Sequence, residues 1–188
     1  MKITRRKLRS IISEAMKMPS DLGDDFYVSV LFGPGKRYKV ELMQSISWDN
    51  PPPGFVARDR AVGAVEAEFS SDCGAYEVKN SYSRGGYGPL LYDIAIELSG
   101  KHGLTSDRKS VSADAQRVWE YYIKFRPDIV TRDIPANCED PRAGYLKYGQ
   151  LVPQEWSSKI YSKLNEKGEP LTPVIDSLVV LRKFKMSY

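Results

Sequence analysis

Apolar residues alternate with polar and β-branched ones from Phe26 to Phe32, and the pattern resumes from Tyr38 to Trp48. Gly33-Pro34-Gly35-Lys36 lies between them and is a strong turn sequence, so the two stretches predict a strand and its partner. A second pair follows, Arg60 to Phe69 and Ala75 to Tyr82, separated by the turn residues Ser70-Ser71-Asp72-Cys73-Gly74. It predicts an antiparallel hairpin. The period then lengthens to that of a helix. Leu91, Ile94, Ala95 and Leu98 share one face, with Gly88 and Pro89 suited to the N-cap and first helical position and Gly103 suited to the stop. Leu104 to Arg108 is short enough for a central strand. Ser112 can cap a further helix, with Asp114 in its first turn, Ala115, Val118, Trp119 and Tyr122 as its apolar stripe and Pro127 at its end.

The ends of the chain are patterned less clearly. Residues 3–17 predict an amphipathic helix with Leu8, Ile11, Ile12, Ala15 and Met16 on one face and Arg5, Arg6, Lys7, Arg9 and Lys17 on the other. Thr4 suits its N-cap, Ile3 with Leu8 has the spacing of a hydrophobic staple, and Pro19 and Gly23 end it. Asn50-Pro51-Pro52-Pro53-Gly54 predicts a stiff loop. Asp128 to Ile134 predicts a strand, 135–153 an irregular segment, Glu155 to Leu164 a short helix, Lys167-Gly168-Glu169-Pro170 a turn, and Leu178 to Phe184 a final strand. No internal repeat, low-complexity tract or domain boundary is visible. The expectation is one α+β domain over 1–188, with a mixed, mostly antiparallel sheet flanked by helices and residues 1–20 as a basic N-terminal helix.

Composition narrows the chemistry. A chain of 188 residues is long enough to bury one core, and its net charge of +4 allows an anionic partner such as CoA, RNA or an acidic protein without requiring nucleic acid. His102 is the single histidine, which excludes metal sites built on several histidines and leaves any histidine-dependent triad resting on a residue near a helix end. Cys73 and Cys138 are too few for a disulfide framework or a zinc site, so reduced thiols are expected. No apolar run is long enough to span a membrane, and no apolar signal core follows the basic start. The expectation is a cytoplasmic protein.

The candidate chemistry centres on Val78 to Asp93, read as a strand, a glycine-rich turn and a helix start. Such a junction offers free backbone N–H groups and the positive end of a helix dipole, an anion site. A Walker loop is absent because no Gly-Lys-Ser/Thr follows. A dinucleotide fold expects a parallel β-α-β unit, whereas the strand here belongs to a hairpin, although Asp107 stands at about the spacing of its acidic residue.

Ser83-Arg84-Gly85-Gly86-Tyr87-Gly88 resembles the signature of the GCN5-related N-acetyltransferase family, Arg/Gln-x-x-Gly-x-Gly/Ala between the fourth strand and third helix. Ser83 replaces the first Arg/Gln, Val78 matches a valine common upstream, and Asn80 stands where members often have proline. The resemblance is good over about 58–134. It implies acetyl-CoA as cofactor, with backbone groups of Val78 and Asn80 along the pantetheine arm and Arg84, Gly85, Gly86, Tyr87 and Gly88 around the pyrophosphate. It also implies that Ser106 and Asp107, at the end of the splayed strand, face the pantetheine. Family chemistry needs a carboxylate base and a tyrosine acid. Glu66, Glu68 and Glu77 lie on the hairpin strands, with Glu66 and Glu68 on one face, and Glu77 and Glu68 are the candidate bases. Trp119 occupies the usual tyrosine position in Ala115-Gln116-Arg117-Val118-Trp119, leaving Tyr122 or the adjacent Tyr121 as the acid. The helices that usually separate the family's first two strands are replaced here by the Gly-Pro-Gly turn, and segment 135–165 can take their place as a pocket wall.

The function implied is transfer of an acetyl group to an amine on a protein, a small molecule or a tRNA-linked amino acid. Two alternatives stand beside it. One is a binding or structural protein on the same fold without turnover. The other is a nucleic-acid-associated protein using Arg5, Arg6, Lys7 and Arg9 with the tyrosine-rich segment 145–161. The basic start ahead of an enzyme-like domain also resembles, in style, proteins encoded by tailed bacteriophages.

Overall fold

The computed structural model describes residues 17–46, 59–107, 111–136, 138, 144–147, 150–153, 155–181 and 183–187. The predicted helix 3–17, apart from Lys17, and the proline loop 50–54 lie outside them. The described residues form an α+β fold with a mostly antiparallel mixed sheet of eight strands and three helices.

The first hairpin is β1 (Phe26–Gly33) and β2 (Arg37–Gln44), closed by a turn in which Gly35 and Lys36 have positive φ of 72° and 57°. Alternation does what the sequence pattern requires. Tyr38, Val40 and Leu42 are buried on one face of β2, while Arg37, Lys39 and Glu41 lie on the other and pair with acids or bases there. β3 (Arg60–Ser70) and β4 (Ala75–Ser83) form the second hairpin. α1 (Gly88–Ser99) lies across the buried face. Tyr38 Oη donates to the Ala95 carbonyl at 2.7 Å and meets Ser99 Oγ at 2.7 Å. The helix comes so close to the sheet at Gly63 that a Cβ there would sit 2.9 Å from Leu91 Cδ1 and 3.2 Å from the Tyr82 carbonyl.

β5 (Leu104–Thr105) continues the sheet, followed by α2 (Ala113–Phe125), β6 (Val130–Asp133) and the pair β7 (Gly144–Lys147) and β8 (Gln150–Pro153), which form a small sheet of their own. β9 (Lys159–Ser162), α3 (Pro173–Val180) and β10 (Phe184–Ser187) complete the described chain. The large sheet runs β10-β1-β2-β3-β4-β5-β9-β6. Among the described residues, β1–β10 and β4–β5 are its parallel pairs.

Ser112 caps α2 as predicted, accepting from the Ala115 N–H at 3.2 Å. Trp119 is fully buried, with its ring 5.0 Å from Tyr92 and 4.6 Å from Tyr161. It joins α1, α2 and β9. Charges on the buried sides of α1 are compensated. Arg126 forks onto Asp93 at 3.0 and 2.9 Å and onto Asp128, and Lys163 meets Glu97 at 2.8 Å. Glu97 also accepts the first free N–H groups of α3, Val174 at 3.0 Å and Ile175 at 2.9 Å.

The structure corrects several expectations. Residues 155–158 form a 3-10 turn and 159–162 a strand, not a helix, because β9 is inserted between β5 and β6 and antiparallel to both. The apolar run at 178–181 ends a helix, with a strand only after it. The segment 135–153 holds the β7–β8 pair. Tyr87, not Gly88, is the N-cap of α1. Cys73 and Cys138 are not free thiols but a disulfide, since the β3–β4 turn and the segment after β6 meet around Ala75, Ile134 and Ile160. Among the described residues, no helix is long and apolar enough to cross a membrane.

Candidate functional site

β4 and β5 pair over only two positions, Tyr76 with Leu104 and Glu77 with Thr105. Beyond Glu77 the outer edge of β4 has no strand beside it among the described residues, so the sheet splits. A β-bulge lies just past the split. Ala67 pairs with Val78 and Glu66 with Asn80, which leaves Lys79 as an extra residue in β4. A bulge turns backbone groups out of the ladder and bends the strand, here along the edge that has lost its neighbour.

A cavity of about 800 Å³ lies along this free part of β4. Its walls are Ser81, Tyr82 and Ser83 of β4, the turn glycines Gly86 and Gly88, Leu91 and Tyr92 of α1, and one face of α2 with Val118, Tyr121 and Phe125. Arg117 and Lys124 also line it, each beside an acid of its own helix, Asp114 at 2.9 Å and Glu120 at 3.1 Å. The volume is that of a site for a large small molecule.

The turn at its end is built by glycine. Gly85 and Gly86 have φ of 65° and 81°, the left-handed region that side chains avoid. Tyr87 anchors the turn by stacking 5.7 Å from Phe26. α1 then begins with its first N–H groups lacking helical partners, beside two glycines that line the cavity. The amide of Arg84 is engaged instead, donating to the Val62 carbonyl at 3.2 Å, so its backbone continues the β3–β4 hairpin. Its side chain is exposed.

The candidate residues fall into three places. Gly86 and Gly88 line the cavity, Gly85 and Tyr87 shape its turn, and Asn80 is exposed just past the bulge. Val78 is buried in the core. Glu77 is buried at the split, paired with Lys79 at 2.8 Å. It faces away from the helices, because its neighbour Tyr76 packs on Tyr38 below α1. Glu68 lies on the outer hairpin face against Arg37 at 2.8 Å, which holds its carboxyl below the ordinary range.

The two tyrosines separate. Tyr122 is fully buried and donates to the Pro89 carbonyl at 3.0 Å. Burial, and then Asp93, push its hydroxyl well above the usual tyrosine range. It does not line the cavity. Tyr121 does, and burial raises its hydroxyl above the ordinary tyrosine value as well. Tyr92, which donates to Ser81 Oγ at 3.0 Å, was not singled out in the sequence beyond its place in the stretch, although its position one after Leu91 made it a neighbour of the turn. Ser106 is 1% exposed, and among the described residues its hydroxyl has no hydrogen-bond partner. It follows the last β4–β5 pair and, by alternation, shares the face of Leu104, which packs in the same core cluster as Tyr92. Asp107 is near enough to Tyr92 to help raise its hydroxyl.

Compared with protein-family models, curated proteins and solved structures, the chain matches none of them.

Proposed function

We propose that the protein is an acyl-CoA N-acyltransferase of the GCN5-related kind, using acetyl-CoA to acetylate an amine. The observation that carries the reading is the split between β4 and β5, with a glycine turn and a helix N-terminus at the end of one cavity. The turn suits a pyrophosphate, because glycine backbone approaches closely and the helix end favours negative charge. The free edge of β4 suits an extended arm that pairs with backbone amides, and the arm would lead from the turn to the bulge. A dinucleotide would need no such edge.

On this reading the amine reaches the thioester through the split from the face that carries Glu77. Its nitrogen attacks the carbonyl carbon, the C–S bond breaks and an amide forms. The amine proton leaves through Glu77 or a water beside it, and Tyr121 protonates the departing thiolate to give the CoA thiol. Tyr121 takes this role over Tyr122 because Tyr122 is held by Pro89 in the core. Glu68 remains a partner of Arg37.

A second reading is a binder of the same cofactor without turnover. Trp119 favours it, since the family's acid position is filled by a side chain locked between Tyr92 and Tyr161. Thiol release from acetyl-CoA, followed spectroscopically against a panel of primary amines, tests the choice. Amine-dependent release that falls in Tyr121→Phe and Glu77→Gln is the result expected of the enzyme. Binding of acetyl-CoA with no release for any amine is the result expected of the binder.

A further inference from the structure

We propose that the Cys73–Cys138 disulfide is a redox-operated latch on this cleft. Bonded, it holds the closed end of the split. Reduced, it lets that end loosen and weakens binding in the cavity. The nature of the ligand rests on the cofactor reading above, but the latch rests on the geometry of the split.

The noncovalent joint at the closed end is small. Among the described residues its backbone part is the two residue pairs of β4 with β5 and one bond from the Tyr76 N–H to the Gly103 carbonyl at 2.9 Å, and the His102 ring packs across it, 5.0 Å from Phe69 and 6.5 Å from Tyr76. Arg132 of β6 reinforces it, donating to the His102 carbonyl at 2.8 Å and the Gly74 carbonyl at 3.4 Å. The disulfide acts at the same end. Cys73 immediately precedes Gly74 and β4, and Cys138 lies in the segment after β6, the outermost strand on the far side; their Cα atoms are 4.4 Å apart, so the bond ties the β3–β4 turn to that segment. The ring it closes has a sequence separation of 65 and contains β4, the glycine turn, α1, β5 and α2. Every residue lining the cavity lies inside that ring except Ala64 and Val65 of β3. A covalent tie between the β3–β4 turn and the segment after β6 limits how far the β4 side and the β5–β9–β6 side of the split part.

Both sulfurs sit in residues only 3% and 4% exposed, against Ala75 and Ile160. Ser71 and Asp72 beside Cys73 are exposed, so a reductant reaches the bond when this turn opens. A dithiol supplies the two electrons and two protons. One of its thiolates attacks a sulfur to form a mixed disulfide, and the other resolves it. The products are two thiols at 73 and 138 and the disulfide of the reagent.

The test compares air-oxidised protein, dithiothreitol-reduced protein and the Cys73→Ser/Cys138→Ser variant, with free thiols counted by alkylation and mass. Acetyl-CoA affinity is measured by calorimetry, and amide hydrogen exchange at Tyr76 and Leu104 is followed without ligand. The latch predicts affinity weaker by about three- to tenfold in both unbonded forms, because the binding-competent arrangement is populated less. It also predicts faster exchange at the joint with β1–β2 unchanged. Two alkylatable thiols in the air-oxidised protein would overturn it, as would equal affinity in all three forms. If acetyl-CoA binds none of them, the cofactor reading fails, and exchange at the joint decides the latch: equal exchange with and without the bond overturns it.

Discussion

The two ends of β4 are built for different work. At Tyr76 and Glu77 the strand is paired on both sides, by β3 and β5, and a disulfide lies in the turn just before. From Asn80 to Ser83 it is paired with β3 alone, bends at a bulge, and borders the cavity. The residues follow the division. Ala75 and Glu77 are buried, whereas Lys79, Asn80, Tyr82 and Ser83 are exposed. One strand therefore serves stability at one end and leaves its backbone available at the other. The change happens because β5 is only two residues long. A longer β5 would pair the rest of the edge and close the cleft.

The largest effect is expected at Trp119, which joins α1 to β9 and so binds the two sides of the split into one core. Trp119→Ala is expected to lose about 3–5 kcal/mol of stability. Denaturant unfolding should show a single transition at much lower denaturant. Two separate transitions would mean that the paired and open halves are independent units.

The open end alone is addressed by Gly86→Asp. A carboxylate at a left-handed position beside the N-terminus of α1 opposes an anionic ligand. Acetyl-CoA affinity should fall by about thirtyfold, or about 2 kcal/mol. The folding cost should stay near 1 kcal/mol, the usual penalty for a side chain in that region. Calorimetry and thermal melting separate the two effects.

Adjacent tyrosines sharpen the contrast further. Tyr122→Phe removes the hydroxyl that donates to the Pro89 carbonyl and should cost about 1 kcal/mol of stability while leaving transfer intact. Tyr121→Phe should change stability by less than about 0.5 kcal/mol, as most surface changes do. It should slow thiol release by about 10- to 100-fold. Paired melting curves and steady-state rates check both.

The smallest effect concerns acid. Arg126 holds the Asp128 carboxyl below its ordinary value of 3.8, chiefly through their hydrogen bond. The stability this gives is present above the unfolded value and is lost as pH falls through the lower folded one. Because the group is half exposed, solvent screening limits the contribution to about 0.5–1 kcal/mol. Unfolding measured from pH 5 to 2 should therefore show a shallower acid loss in Asp128→Asn.

Much of the paired architecture was legible in the residues. Gly33-Pro34-Gly35-Lys36 and the alternating strands gave the first hairpin, and Ser112 gave the cap of α2, because turns and caps are local chemistry. The glycine turn was legible for the same reason. What failed was decided at a distance. Leu178 to Leu181 is apolar enough for a buried strand, and a run that short cannot be told from a helix end by its pattern. The helix is settled by Pro173 at its start and by Glu97, far away in the chain, accepting its first amides. Lys159 to Ser162 became a strand because β5 and β6 flank it. The disulfide joins residues 65 apart, and nothing near either cysteine announces the other. At the site, sequence spacing put Trp119, Tyr121 and Tyr122 within reach of one role. Only packing separates the buried pair from the tyrosine that meets the cavity.

Whether the glycine turn holds a cofactor is read most directly by a calorimetric titration of acetyl-CoA into the oxidised wild-type protein, with Gly86→Asp and Tyr122→Phe alongside. Saturable binding is expected at about one site per chain, with a dissociation constant no weaker than the roughly 1 μM to 1 mM range in which enzymes meet their substrates. Binding should be retained in Tyr122→Phe and strongly weakened in Gly86→Asp. No binding by the wild type, or equal binding by Gly86→Asp, would contradict it.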